Sequence, residues 1–404
     1  MSTVIESSAA PHALPRVIGY LLNLGHAVDH MFLLIFATAV TSIAVDFGFA
    51  NWADLMPYTA GAFFLFGIGA VPAGRLGDLW SRRGMMIVFF IGLGATAILT
   101  SAAQNAWQLG AGLTLMGAFA AIYHPVGIPM LVQNTRNPGK VIGFNGLAGN
   151  MGIAVAALVT GMFIKWLGWR SAFAIPGLLC IACGIAFALL CPRETEAPSK
   201  RKGGAKVVLT PAALAQVFAI MTAVAVAASL LFNFTTNGNA QLLAERFRNI
   251  IEDPALLGLL LASVYAIASL AQVVVGNLID RMAFKSLNIA LSIPLIPLLM
   301  LAAYAEGWTL FILLLGVMIL IFGAIPFTDA MIVRYVDDRL RSRVAGMRLA
   351  VSAGISSLAV WLLGPLVKAM GFGALFWLLA GIALVKTIVL IWLPREDAVT
   401  VPSQ

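Results

Sequence analysis

A bundle of about twelve membrane-spanning helices is the fold class this sequence predicts. Three observations predict it: apolar residues far outnumber charged ones, the apolar runs have the length of a bilayer, and the two halves carry related loops. Of 404 residues, 61% are hydrophobic and 10% charged, against roughly a quarter charged in a soluble domain. The bilayer must therefore be the main solvent. A spanning helix needs about 20 mostly apolar residues, so a chain of this length folds into on the order of twelve. A closed barrel would need short segments of alternating polarity, whereas these runs are continuously apolar.

The runs lie near 17–45, 52–76, 85–103, 107–133, 140–165 and 169–191, then 212–234, 254–279, 286–304, 308–333, 343–367 and 372–393. The first is too long for the core of a signal peptide and lacks a basic leader, so it is expected to remain as a span. Cys180, Cys183 and Cys191 all fall in one apolar stretch, which reads as packing and not as a disulfide framework or a redox CxxC. Residues 192–211 form the longest polar stretch, with Arg193, Lys200, Arg201, Lys202 and Lys206 among Gly, Ser and Pro. They divide the chain into an N-terminal six-helix bundle (1–191), a basic linker (192–211) and a C-terminal six-helix bundle (212–404).

The charge of +8 is distributed unevenly. With the amino terminus in the cytoplasm, Arg75, Arg82, Arg83, Arg136, Lys140, the linker cluster, Arg281, Lys285, Arg334, Arg339, Arg341, Arg343 and Arg395 share one side. Lys165, Arg170, Arg246, Arg248 and Lys368 fall on the other. Positive loops stay inside, so both termini and the linker are expected in the cytoplasm, as in a multi-pass protein of a bacterial inner membrane. The same scatter over short loops explains the basic balance without nucleic acid, since no base-reading module accompanies it.

The loop after the second run reads GRLGDLWSRRG (74–84) and the one after the eighth reads GNLIDRMAFK (276–285). Aligned, they match Gly74 with Gly276, Leu76 with Leu278, Asp78 with Asp280 and Arg83 with Lys285. Trp107 and Trp308 keep nearly the same offset. A duplicated six-helix unit is the natural reading, and parallel halves characterise one class of secondary transporter. The pattern Gly-x-Leu-x-Asp-x-x-x-Arg-Arg resembles the loop signature of the major facilitator superfamily, with Leu79 and Ser81 departing from it. The resemblance covers the whole chain. It implies a loop latch on the cytoplasmic side built from Gly74, Asp78, Arg82, Arg83, Asp280 and Arg281. Asp78 would meet the amino end of the eleventh helix near Arg343, and Asp280 that of the fifth near Lys140, where a helix dipole favours a carboxylate.

A charge at mid-bilayer costs about 2.5–3.5 kcal/mol on insertion scales, so each needs a partner or a purpose. The first run holds Asn23, His26, Asp29 and His30, and spacings of three and four group them on adjoining faces. His26 lies roughly 15 Å from Arg16 along a helix, and His124 in the fourth run reaches a similar depth. This His and Asp in the first helix, with Tyr123-His124-Pro125 in the fourth, resembles the fosmidomycin-resistance branch of the superfamily, made up of drug and organic-solute exporters. The resemblance puts His26, Asp29, His30, Tyr123 and His124 around one solute and proton site, with packing the plainer alternative for His30. Burial favours a protonated carboxyl and histidine titrates near neutrality, so solute/proton exchange by alternating access is the expected mechanism.

In the second half, Asp329 and Arg348 sit at similar depth and read either as an inner gate or as a static ion pair. The run Asn233-Phe234-Thr235-Thr236-Asn237-Gly238-Asn239 is rich in side chains that compete for the backbone. It unwinds around solute, forms an outer gate or begins a loop, which makes Asn233 and Asn237 candidate binding residues. Gly143, Gly146, Gly149 and Gly152 recur every three residues, a pattern for close packing between the halves. No Walker-type loop, HExxH, clustered Cys/His metal set or nucleophile elbow is present. The expectation is therefore no enzyme, no cofactor and no metal, with a small-molecule substrate, protons and the lipid bilayer as partners and, as the resemblance implies, a monomer. Two other readings stand beside export: proton-coupled uptake of a small organic anion, with the histidines and Arg348 as counter-charges, and a ligand sensor without net flux.

Overall fold

The computed structural model describes residues 15–133, 138–194, 211–279, 281–328, 330 and 338–393. Asp280 and Asp329 lie outside them, as does most of the expected linker. Among the described residues the secondary structure is helical throughout, and eleven helices are long and apolar enough to cross a membrane. The last of these, Gly346–Ile391, is two segments: Gly371 stands at φ 76, ψ 170, in the left-handed half of backbone space that favours glycine, and breaks it. Twelve crossing segments result.

In chain order they are α1 (Arg16–Asp46), α2 (Trp52–Leu79), α3 (Arg82–Ser101), α4 (Ala106–Val132), α5 (Pro138–Trp166) and α6 (Trp169–Leu190). The second set is α7 (Pro211–Arg246), α8 (Pro254–Ile279), α9 (Phe284–Ala302), α10 (Gly307–Thr328), α11 (338–370) and α12 (372–391). Asparagines open two of the N-terminal elements: Asn51 Oδ1 accepts from the Ala53 amide and Asn105 Oδ1 from the Gln108 amide, supplying partners for amides that a helix start leaves unpaired.

Helix pairing repeats with a period of six. In the first set α1 packs on α5, α2 on α4 and α3 on α6; in the second α7 packs on α11, α8 on α10 and α9 on α12. The duplicated loops perform one task twice. Arg83 donates from Nε to the Cys191 carbonyl (2.8 Å) and from Nη2 to the Ala188 carbonyl at the C-terminal end of α6. Lys285 donates to the carbonyls of Ile391 and Leu393 (2.8 Å) at the end of α12. A cation on the last carbonyls of a helix satisfies acceptors the helix cannot.

The sets meet along α5–α8 and α2–α11. Gly143 and Gly146 face α8, near Gly276 and Gln272, whereas Gly149 and Gly152 face α1, against His26 and Ala27. The glycine run thus serves packing between the sets over its first half only. At the end of the bundle away from the start of α1, Lys165 pairs with Asp253 and Lys368 with Asp54 (2.6 Å), and Gln241 Nε2 donates to the Ala37 carbonyl (2.6 Å). Each of these joins one set to the other. The Lys165 ammonium, by its hydrogen bond, holds the exposed Asp253 carboxyl below its usual range.

Candidate functional site

A cavity of about 180 Å³ lies between the two sets. Its walls run from mid-depth, at His26 and His30, toward the end where α1, α7 and α9 begin, at Asn288 and Arg348. The α1 wall owes its position to α4. Pro125 has no N–H to offer Ala121, and the helix interrupts at Ala121 and Ile122, as proline requires. The second piece, Tyr123–Val132, starts there and sets Tyr123 and His124 against α1.

Tyr123 is fully buried. Its hydroxyl donates to the Leu22 carbonyl (2.8 Å) and accepts from Asn145 Nδ2 (2.8 Å), which also reaches Asn23 Oδ1 (2.9 Å). Its ring stacks on His26, with centroids 4.8 Å apart and planes 17° from parallel. Tyr123 is not among the residues that line the cavity; it positions His26 from behind, in place of the expected contact with solute. His26 Nδ1 donates to the Asn145 carbonyl (2.8 Å), and its Nε2 lies 3.1 Å from Nε2 of His30. With Nδ1 carrying the hydrogen, Nε2 of His26 is the acceptor of that pair.

His26, His30 and His124 all line the cavity. Asp29 lies behind them: its side chain is 0% exposed, with Oδ2 3.6 Å from His124 Nε2, and neither oxygen has a hydrogen-bond donor among the described residues. Three imidazoles contributed by two helices thus converge, with one ligand nitrogen from each within 4.8 Å of the others. The sequence sets these residues at one depth, and the resemblance sets them around one site; the α1–α4 contact is what brings the three rings within reach of one another.

Across the cavity stand Phe232 and Asn233 of α7, Gln272 of α8, Asn288 of α9, Arg348 of α11 and Lys386 of α12. Asn233, a candidate from the sequence, lines the cavity. Asn237 is buried and outside the lining, its Nδ2 donating to the Asn233 carbonyl (3.0 Å). The expected unwinding, and a loop starting at 233, are both overturned: α7 is continuous from Pro211 to Arg246. Its polar side chains bond back one turn, Asn233 to Ser229, Thr235 to Leu231 and Thr236 to Phe232. These bonds satisfy the side chains without breaking the helix. Lys386, Gln272, Asn288 and Asn145 were not singled out from the sequence; a lysine inside the apolar run 372–393 was a legible signal.

Of the loop residues, Asp78 and Arg82 pair with each other (3.1 Å), both side chains 0% exposed. Gly74 is buried one turn before Asp78 in the last turns of α2, which pack on α11. Arg83 caps α6, as above, and Arg281 is exposed. Asp280 and Asp329 themselves lie outside the described residues, as does the Arg343 side chain, so the expected contacts of Asp280 near Lys140, of Asp329 with Arg348 and of Asp78 near Arg343 lie outside them too.

The sequence profile of the Major Facilitator Superfamily matches residues 22–245. The chain belongs to the major facilitator superfamily, a superfamily of membrane transporters and not of enzymes. It is 28% identical over 170 residues (41% of this chain, 29% of the relative) to a probable actinorhodin transporter of Streptomyces coelicolor. It is 24% identical over 337 residues (80% of this chain, 81% of the relative) to the multidrug resistance protein MdtG of Escherichia coli. The chain spans about a third or less of the length of the first curated relatives it matches. The crystal structure of the human organic anion transporter MFSD10 (TETRAN) superposes with a TM-score of 0.70 at 13% identity, over 93% of this chain and 99% of that one. This likeness extends to the fold.

Proposed function

We propose that this member of the superfamily exports a small organic solute across a bacterial inner membrane by alternating access, in exchange for protons. The observation that carries the reading is one cavity between two six-helix sets, with ionisable groups on both walls and cross-set ion pairs at the end away from the start of α1. With both termini cytoplasmic, as the distribution of basic loops supports, the cavity faces the cytoplasm and the paired end faces outward. Cargo enters from inside, the outer pairs part, and the inner contacts close behind it. The names of the relatives, an actinorhodin transporter, a puromycin resistance protein and a multidrug resistance protein, support outward movement of an organic compound.

Asp29 and His124 supply the proton route. The carboxyl is sealed from solvent while the imidazole 3.6 Å away borders the cavity, so a proton reaching Asp29 passes the solute site. Overexpression in a drug-sensitive strain, screened against puromycin and other antibiotics, identifies the cargo. Flux of the hit in proteoliposomes under an imposed pH gradient then tests coupling. Asp29→Asn is expected to leave the fold intact and remove gradient-driven flux; unchanged flux in that variant overturns the role.

One observation favours an anion as cargo. Lys386 of the described lining has no ion-pair partner among the described residues, and the imidazoles of His26, His30 and His124 border the same space. A negatively charged solute is drawn to such walls, whichever way it travels.

A further inference from the structure

We propose that His26, His30 and His124 form a binding site for a first-row divalent transition-metal ion, with one coordination position open to the cavity. The inference goes beyond transport of a solute: it concerns what the imidazoles hold.

Spacing is the first support. In a tetrahedral site with metal–nitrogen bonds near 2.0–2.1 Å, ligand nitrogens stand about 3.3 Å apart. Nε2 of His26 and Nε2 of His30 are 3.1 Å apart, and the whole set lies within 4.8 Å. Closing that set around an ion takes a contraction of at most about 1.5 Å, which rotation of the His124 ring supplies.

Orientation is the second. A metal-ligating imidazole characteristically gives its other nitrogen to a backbone carbonyl or a carboxylate, which fixes the ring and raises its basicity. His26 gives Nδ1–H to the Asn145 carbonyl at 2.8 Å, directing Nε2 to the cluster. Asp29 Oδ2 lies 3.6 Å from Nε2 of His124, just beyond hydrogen-bond distance, as the nearest carboxylate to that ring. Both supports are buried, and Asp29 is a 0% exposed carboxylate whose oxygens have no hydrogen-bond donor among the described residues. A cation held one imidazole away compensates such a group. The stacked Tyr123 ring and the bare Cα of Gly149 complete the seat, since a Cβ at 149 would lie 2.6 Å from His26 Nε2.

Ligand chemistry sets the class of ion. Three imidazoles suit Zn²⁺, Co²⁺, Ni²⁺ or Cu²⁺, whereas Mg²⁺ and Ca²⁺ require oxygen. Three protein ligands leave the fourth position vacant, the pattern of a site that exchanges its last ligand. That position faces the cavity, and an M²⁺ ion with three neutral ligands attracts an anionic oxygen donor there. A carboxylate or hydroxamate is the class of solute group that fits, and this last clause rests on the transport reading.

The test uses tag-free protein purified in detergent and titrated with Co²⁺. The chain has four histidines, so only His12 remains outside the set. The expected result is saturation at one Co²⁺ per chain, with the intense visible absorption of a four-coordinate ion, and displacement by Zn²⁺. His30→Gln and His124→Gln each weaken binding by at least about tenfold, while His12→Gln leaves it unchanged. Monodisperse elution and native helicity qualify each variant. Added acetohydroxamate shifts the spectrum. Lack of saturable binding in the native protein, or binding that persists unchanged in the His26→Gln/His30→Gln double variant, overturns the site. A spectrum indifferent to acetohydroxamate overturns the open position. Neither result touches the export reading, which is measured by flux in the absence of metal.

Discussion

Gly149 is the residue whose replacement tests the geometry of the site most directly. An added methyl there would meet the His26 ring at 2.6 Å, a distance real side chains do not hold, so the imidazole must move. Movement breaks its hydrogen bond to Asn145, worth about 0.5–1.5 kcal/mol, and its stack on Tyr123, worth about 0.5–1.5 kcal/mol. The sum, about 1–3 kcal/mol, matches the general cost of overpacking a core. Alanine also gains helix propensity over glycine, about 0.8–1 kcal/mol, so the comparison needs a control on the same helix. Gly143 has nothing within 4 Å of its would-be Cβ and provides it. The difference in unfolding free energy between Gly149→Ala and Gly143→Ala is expected to be about 1–3 kcal/mol, read from thermal melts in detergent. If His26 ligates an ion, displacing it also lowers Co²⁺ affinity, roughly 5- to 150-fold for the same energy. Equal melting temperatures and equal Co²⁺ affinities for the two variants would refute the reasoning.

Tyr123→Phe removes a hydroxyl that both donates to Leu22 and accepts from Asn145, leaving one buried N–H of Asn145 unpaired; a loss of about 1–3 kcal/mol is expected, measured by the same melts. Lys386→Met replaces a buried amine for which no ion-pair partner is found among the described residues by an apolar chain of similar length. It is expected to raise thermal stability by about 1 kcal/mol or more and to weaken flux of an anionic cargo; a destabilised variant would show that the amine has a binding partner. Asp253 gives a pH prediction. Its carboxyl is held below the usual range by Lys165, so its contribution is fully present above the ordinary carboxylate value and is lost only as pH falls through the lowered one. Spin-label distances across the outer end are expected to stay constant through mild acid, and opening at roughly pH 6 would contradict the assignment. Lys165→Met is expected to abolish whatever acid dependence is seen.

The helices were legible because a bilayer imposes a length that apolar runs must meet, and observed boundaries fall within a few residues of the runs in most cases. The exception is α7, where Asn233 to Asn239 looked like a helix end. Composition registers polar side chains but not their bonds to carbonyls one turn back. The repeat was legible through Arg83 and Lys285, although their shared work as caps was not, since the acceptors lie more than a hundred residues away. Depth and resemblance grouped His26, His30 and His124, but the close approach of their rings required knowing how α4 bends and which face it turns to α1. Lys386 needed no such knowledge. Asn145 was hidden within a glycine run that reads as packing alone.

The paired caps carry a consequence for motion. Each set of six helices fastens its own last helix to its own early loop, one with a guanidinium and the other with an ammonium. Neither fastening borrows an atom from the opposite set, so the two blocks can tilt against each other while both clasps stay shut. Damage to one clasp would loosen a single block, and the alternating motion proposed above would become lopsided before it failed.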